Sequence, residues 1–88
     1  MVRRRLVIHG RVQGVFFRDT LRTLAERHGV AGWARNTPEG TVEAVLEGDE
    51  HAVARLDAFA RKGPEGALVE RVDVHAEEPQ GLSGFSIR

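Results

Sequence analysis

The chain has 88 residues, 41% hydrophobic and 30% charged, with 13 basic and 13 acidic side chains and no cysteine. A chain this short holds one core and buries only about 60–65% of its unfolded surface, which suits one sheet covered by a few helices. Zero formal charge argues against bulk attraction to nucleic acid or an anionic membrane, and the missing Cys removes disulfides, thiolate metal sites and cysteine nucleophiles together.

Twelve of the basic residues are Arg and only Lys62 is Lys, a bias toward the planar clamp that suits phosphate or carboxylate. Scarce Asn, Gln and Cys beside many charges fit a thermophilic source or GC-rich coding. The basic start MVRRRLVIHGR is apolar only from Leu6 to Ile8, too briefly for a signal peptide. No window approaches the roughly 18 apolar residues that span a bilayer, so a cytoplasmic protein without a membrane partner is expected.

Arg3 to His9 predicts a strand with Leu6 and Ile8 on one face and Arg5, Val7 and His9 on the other. Arg3-Arg4-Arg5 itself is expected to be a frayed, solvated N-terminus. A loop follows from Gly10, and helical spacing then appears at Leu21, Leu24, Ala25 and His28, with Asp19 in the first turn and Gly29 as C′ residue. Val30 to Arg35 and Thr41 to Glu47 read as strands joined through Thr37-Pro38-Glu39-Gly40, a hairpin. Asp49 is the expected N-cap of a second helix with apolar face Val53, Leu56, Phe59 and Ala60, stopped by Gly63-Pro64. Leu68 to Ala76 alternates again, Glu77-Glu78 is expected in a solvated loop, and Phe85 and Ile87 suggest a short final strand. The order is β-α-β-β-α-β plus a terminal strand. It predicts a single α+β domain over residues 1–88, the split βαβ, ferredoxin-like sandwich: an antiparallel sheet with two helices on one face.

The loop Gly10-Arg11-Val12-Gln13-Gly14-Val15-Phe16-Phe17-Arg18 is the first candidate site. Glycines at Gly10 and Gly14 permit φ > 0 and an inward-facing nest of N–H groups, and the helix start adds unpaired N–H groups and partial positive charge. Arg18 is placed to fold over the same anion. The alternative is an ordinary strand-to-helix turn with Arg18 in solvent. No Gly-Lys-Ser/Thr ends the loop, so it is not a Walker loop. Cysteine phosphatases carry their nucleophile six residues before the phosphate-binding Arg, and here that position is Val12. Asn36, the only Asn, ends the second strand. In a split βαβ fold this strand joins the sheet on the side of the first, which lets the loop and Asn36 face each other. A carboxamide can hold a water without deprotonating it, although Asn before a turn is also a common turn initiator. The four histidines show no metal-ligand spacing, so neither a metal nor a cofactor is expected.

Together these residues resemble acylphosphatases. One signature of that family, Gly-x-Val-Gln-Gly-Val-x-Phe-Arg, is matched by Gly10, Val12, Gln13, Gly14, Val15, Phe17 and Arg18. The second is matched by Gly32, Trp33, Ala34, Arg35, Asn36, Gly40, Val42 and Gly48. The resemblance covers essentially the whole chain. It implies metal-free hydrolysis of acyl phosphates to carboxylate and inorganic phosphate, with Arg18 binding phosphate and Asn36 positioning the water, in a monomer. Two rivals differ in class. One is a noncatalytic or carbamoyl-phosphate-handling version of the domain, such as occurs within larger hydrogenase-maturation proteins. The other is a ferredoxin-like RNA-binding sheet, which calls for exposed aromatics on central strands and a basic face.

Overall fold

A computed structural model describes all residues, Met1–Arg88. The elements are β1 (Val2–Arg11), α1 (Phe17–His28), β2 (Ala31–Asn36), β3 (Val42–Gly48), α2 (Glu50–Lys62), β4 (Leu68–Glu77) and β5 (Phe85–Ile87). They form one sheet in the order β4-β1-β3-β2-β5. Both helices pack on one face, α1 over β2 and β5, α2 over β1, β3 and β4. Neither helix is long and apolar enough to cross a membrane.

Strand alternation builds the core. Leu6 and Ile8 of β1, Ala34 of β2, and Val42, Ala44 and Leu46 of β3 all point under the helices and are fully buried. They meet Leu21 and Ala25 of α1 and Val53, Leu56 and Ala60 of α2 in one cluster. Each large side chain there contributes roughly 1.5–3 kcal/mol. Phe17 and Phe59 join the two helices edge to face, with centroids 5.9 Å apart. Asp49 caps α2 as expected, accepting the N–H groups of His51 and Ala52.

β3 is inserted between β1 and β2 and pairs antiparallel with both, as the split βαβ arrangement requires. One expectation about the sheet changes: it is not wholly antiparallel, because β5 runs parallel to β2, so the sheet is mixed. The reason is where β4 ends. Its last residues pair with Arg3 and Arg4, at the end of the sheet where β1 and β2 begin. A connection along that end delivers β5 to the opposite edge already pointing the way β2 points.

The helix-free face carries an ion-pair lattice where solvated tails were expected. Arg3, 4% exposed, reaches Glu47 at 3.2 Å and Glu77 at 2.8 Å. Arg5 bridges Glu43 and Glu77 at 2.6 and 2.7 Å, and Arg35 also holds Glu43. Arg3 and Arg5 therefore lie inside β1 rather than on a frayed end, and Glu77 ends β4 rather than sitting in a loop. Trp33 lies on this face but is buried, with the guanidinium carbons of Arg88 and Arg5 4.4 and 5.7 Å from its ring centre.

Candidate active site

β1 and β2 are both antiparallel to β3, so their C-terminal ends reach the same end of the sheet. Register makes this concrete: Val42 pairs with Ile8 on one side and with Asn36 on the other. Asn36 is thus two strands from Ile8, about 9–10 Å by strand spacing. The chain leaving β1 turns back toward Asn36 before starting α1.

Three backbone features shape that turn. The β1–β4 register shifts between His9 and Gly10, and a Cβ on Gly10 (φ 128°) would strike the Leu68 carbonyl oxygen. Gly14 has φ 76°, and Phe16, the helix N-cap, takes the left-handed conformation at φ 61°, ψ 29°. Phe16 offers no side-chain cap, although its carbonyl accepts from the Thr20 N–H and hydroxyl. No backbone N–H from residue 12 to residue 19 has a protein acceptor: those up to 16 lie in the turn, the rest in the first turn of α1.

Most of the residues that carry these free donors line a pocket of about 230 Å³, formed by Val12, Gly14, Phe16, Phe17, Arg18, Asp19 and Asn36. Arg18 is half-buried and its Nη1 donates to the Arg88 carbonyl at 3.3 Å, a contact made because β5 ends beside β2 at this same end of the sheet. Asn36 is half-buried, and its carboxamide takes no part in the hydrogen bonds that tie its neighbours Thr37 and Thr41. Its donor and acceptor both remain available to a ligand. Free N–H groups, a helix N-terminus and a guanidinium on one side suit an anion, and a carboxamide across from them suits a water.

Of the residues expected in the loop, Val12, Gly14, Phe16, Phe17 and Arg18 line this pocket together with Asn36. Gly10, Arg11, Gln13 and Val15 do not. Gly10 sits at the strand bulge, Arg11 is exposed at the end of β1, and Val15 packs against the core. Gln13 turns its side chain away, donating from Nε2 to the carbonyls of Thr37 and Thr41. Asp19 also lines the pocket, a place its helix-dipole position did not announce. Arg88 was equally hidden, since its contact to Arg18 is through the backbone. No group of three or more His, Asp or Glu side chains gathers anywhere in the chain.

The family model for acylphosphatases matches residues 4–87. An acylphosphatase of Thermococcus kodakarensis is 54% identical over 86 residues, covering 98% of this chain and 94% of that protein. One of Thiobacillus denitrificans is 55% identical over 83 residues, covering 94% and 92%. Among solved structures, the acylphosphatase from Bacillus subtilis superposes with a TM-score of 0.96 at 32% identity, over 100% of this chain and 99% of that one.

Proposed function

The chain belongs to the acylphosphatase family and is a hydrolase of acyl phosphates, and from that premise we propose that Arg18, the loop N–H groups and Asn36 carry out the reaction. The observation that carries this reading is the one pocket shared by the Arg18 guanidinium and the Asn36 carboxamide, beneath backbone donors that no protein group uses.

The free N–H groups of the loop from residue 12 onward and of the first turn of α1 take the phosphoryl oxygens. Arg18 leaves the main-chain oxygen of Arg88, a long contact at 3.3 Å, for shorter charge-assisted contacts to the phosphoryl dianion. Asn36 holds a water in line with the P–O bond to the acyl group. The water oxygen bonds to phosphorus as that bond breaks, the carboxylate leaves with the electron pair, and a water proton passes to a phosphoryl oxygen or to solvent. A carboxylate is a good leaving group, so no strong general base is required. Positioning and charge stabilisation supply the acceleration. The small mouth grips the phosphoryl end, so the acyl part is read loosely, and a monomer suffices because every group comes from one chain.

The test is hydrolysis of benzoyl phosphate by purified protein with and without EDTA, with equal rates expected. Arg18→Ala removes two charge-assisted hydrogen bonds of about 1.5–3 kcal/mol each, so kcat/KM falls about 10²–10⁴-fold, with KM raised and kcat depressed. Asn36→Ala lowers kcat about 10²-fold and leaves KM nearly unchanged. Folded wild-type protein that turns over no acyl phosphate would sink the reading, and loss of activity in EDTA would sink its metal-free form.

A further inference from the structure

We propose that Gln13 is a positioning residue, a cross-brace that sets the distance between the phosphate loop and the water-holding Asn36. The inference rests on the roles proposed above for Arg18 and Asn36. Gln13 lies in the loop, yet its Nε2 donates to the Thr37 carbonyl at 2.9 Å and to the Thr41 carbonyl at 3.0 Å, acceptors 24 and 28 residues away. Thr37 is the residue after Asn36. One carboxamide therefore grips both ends of the turn that follows the water-holding residue.

The turn is built to receive it. Thr37 N–H donates to the Thr41 carbonyl at 2.9 Å and Gly40 N–H to the Thr37 carbonyl at 3.1 Å. The two threonine hydroxyls lie 2.6 Å apart. Each carbonyl thus accepts one bond from inside the turn and one from Gln13, which uses both of its lone pairs. Both amide hydrogens of Gln13 are consumed in the same way. What remains on the side chain is Oε1, an acceptor, which has nothing to offer a phosphoryl oxygen. Gln13 is for this reason not a phosphate ligand through its side chain. Apart from this brace, the hydrogen-bond path between loop and Asn36 runs through the ladder of β1, β3 and β2. A 1 Å error in the line from water to phosphorus costs about 10²-fold in rate, so a brace at this place acts on kcat.

The experiment is a double-mutant cycle in benzoyl phosphate hydrolysis, with competitive inhibition by inorganic phosphate measured on every variant. Gln13→Ala is expected to lower kcat about 10- to 10²-fold while the Ki of phosphate stays within about twofold, because phosphate binds the loop alone. In the Asn36→Ala background, Gln13→Ala is expected to cost no more than about twofold in kcat, since no held water remains to misplace. The same 10- to 10²-fold loss in both backgrounds would overturn the brace, as would a Ki that rises in step with the loss of kcat. Gln13→Met, which keeps the chain length and adds no charge, repeats the cycle if Gln13→Ala fails to melt cooperatively. Wild-type kcat in Asn36→Ala alone would sink the water-holding role itself, and the brace with it, whereas additivity beside a slow Asn36→Ala sinks only the brace.

Discussion

Phe16 is the one non-glycine residue with positive φ, and the residue, which lines the pocket, is 77% exposed. The left-handed conformation costs an L-residue about 1–2 kcal/mol. What holds it is on either side: Phe17 is buried against Phe59, and Thr20 binds the Phe16 carbonyl through both its N–H and its hydroxyl. Strain kept at such a point fixes the angle at which the chain turns from the loop into α1. Phe16→Gly releases that strain and gives up little burial, while the freer unfolded chain takes back about 0.5–1 kcal/mol. The net gain is about 0.5–1 kcal/mol, a rise of roughly 2–8 °C in Tm for a domain of this size. Thermal melting by circular dichroism checks it, and an unchanged or lower Tm would show that the loop stores no such strain. Activity is expected to move the other way, because a glycine at this position lets the donors scatter.

Strands and helices respond to a different kind of change. Gly10 and Gly14 look alike in the sequence, yet one belongs to the β1–β4 bulge and the other to open loop. An added Cβ at Gly14 meets nothing within 4 Å, so Gly14→Ala costs only the backbone penalty of about 1–2 kcal/mol. At Gly10 it would collide with the Leu68 carbonyl and lie 2.9 Å from the Glu70 nitrogen, backbone that cannot move without unpairing β4. Gly10→Ala is expected to cost about 2–4 kcal/mol, read as the shift in urea midpoint at constant slope. Equal costs for the two variants would contradict the bulge. The same contrast marks how far the sequence could be read. Alternation at Leu6 and Ile8, helical spacing at Leu21 and Ala25, and the Asp49 cap are local signals, and they located the elements. The two signatures that contain Arg18 and Asn36 were legible because they are short and specific, and the structure brings these two residues to one pocket. Strand order, the parallel direction of β5 and the partners of Arg3 and Glu77 depend on contacts between residues far apart in the chain, so a run of arginines read as a frayed tail. The bonds from Gln13 to the far side of the turn are not legible, because their acceptors are backbone carbonyls, which no residue pattern displays.

The molecule as a whole closes at Glu47. Its carboxylate is almost fully buried and accepts N–H groups from Gln80, Gly81 and Leu82 at 3.0, 2.6 and 2.9 Å, with Arg3 at 3.2 Å. These donors belong to the stretch that carries the chain from β4 across the end of the sheet to β5. The N–H of Gln80 does most to pull the Glu47 carboxyl down from 4.5 to about 2, against burial, which pushes it up; Leu82, Arg3 and Gly81 add to the lowering. Glu77 is lowered by Arg5 and Arg3, and Asp73 by His9. In Glu43 burial pushes up but is outweighed by Arg35 and Arg5. For a group whose folded value lies below its unfolded one, the stabilisation is complete above the unfolded value and is lost as pH falls through the folded one. For Glu47 that window runs from about 4.5 down to about 2. Stability is therefore expected to be flat above pH 6 and to fall steadily below pH 4.5. Glu47→Gln should be less stable than wild type at pH 7, with the gap narrowing as pH drops and nearly vanishing at pH 2. Urea unfolding across pH 2–7 measures it, and a gap that stays constant over that range would remove Glu47 as the clasp. The effect reaches the end of the sheet that holds the pocket, because β5 runs from the clasp to the Arg88 main-chain oxygen that meets Arg18. Loosening at Glu47 frees the strand that ends beside the site. Activity of Glu47→Gln at pH 7 should accordingly fall while its far-ultraviolet circular dichroism is still native.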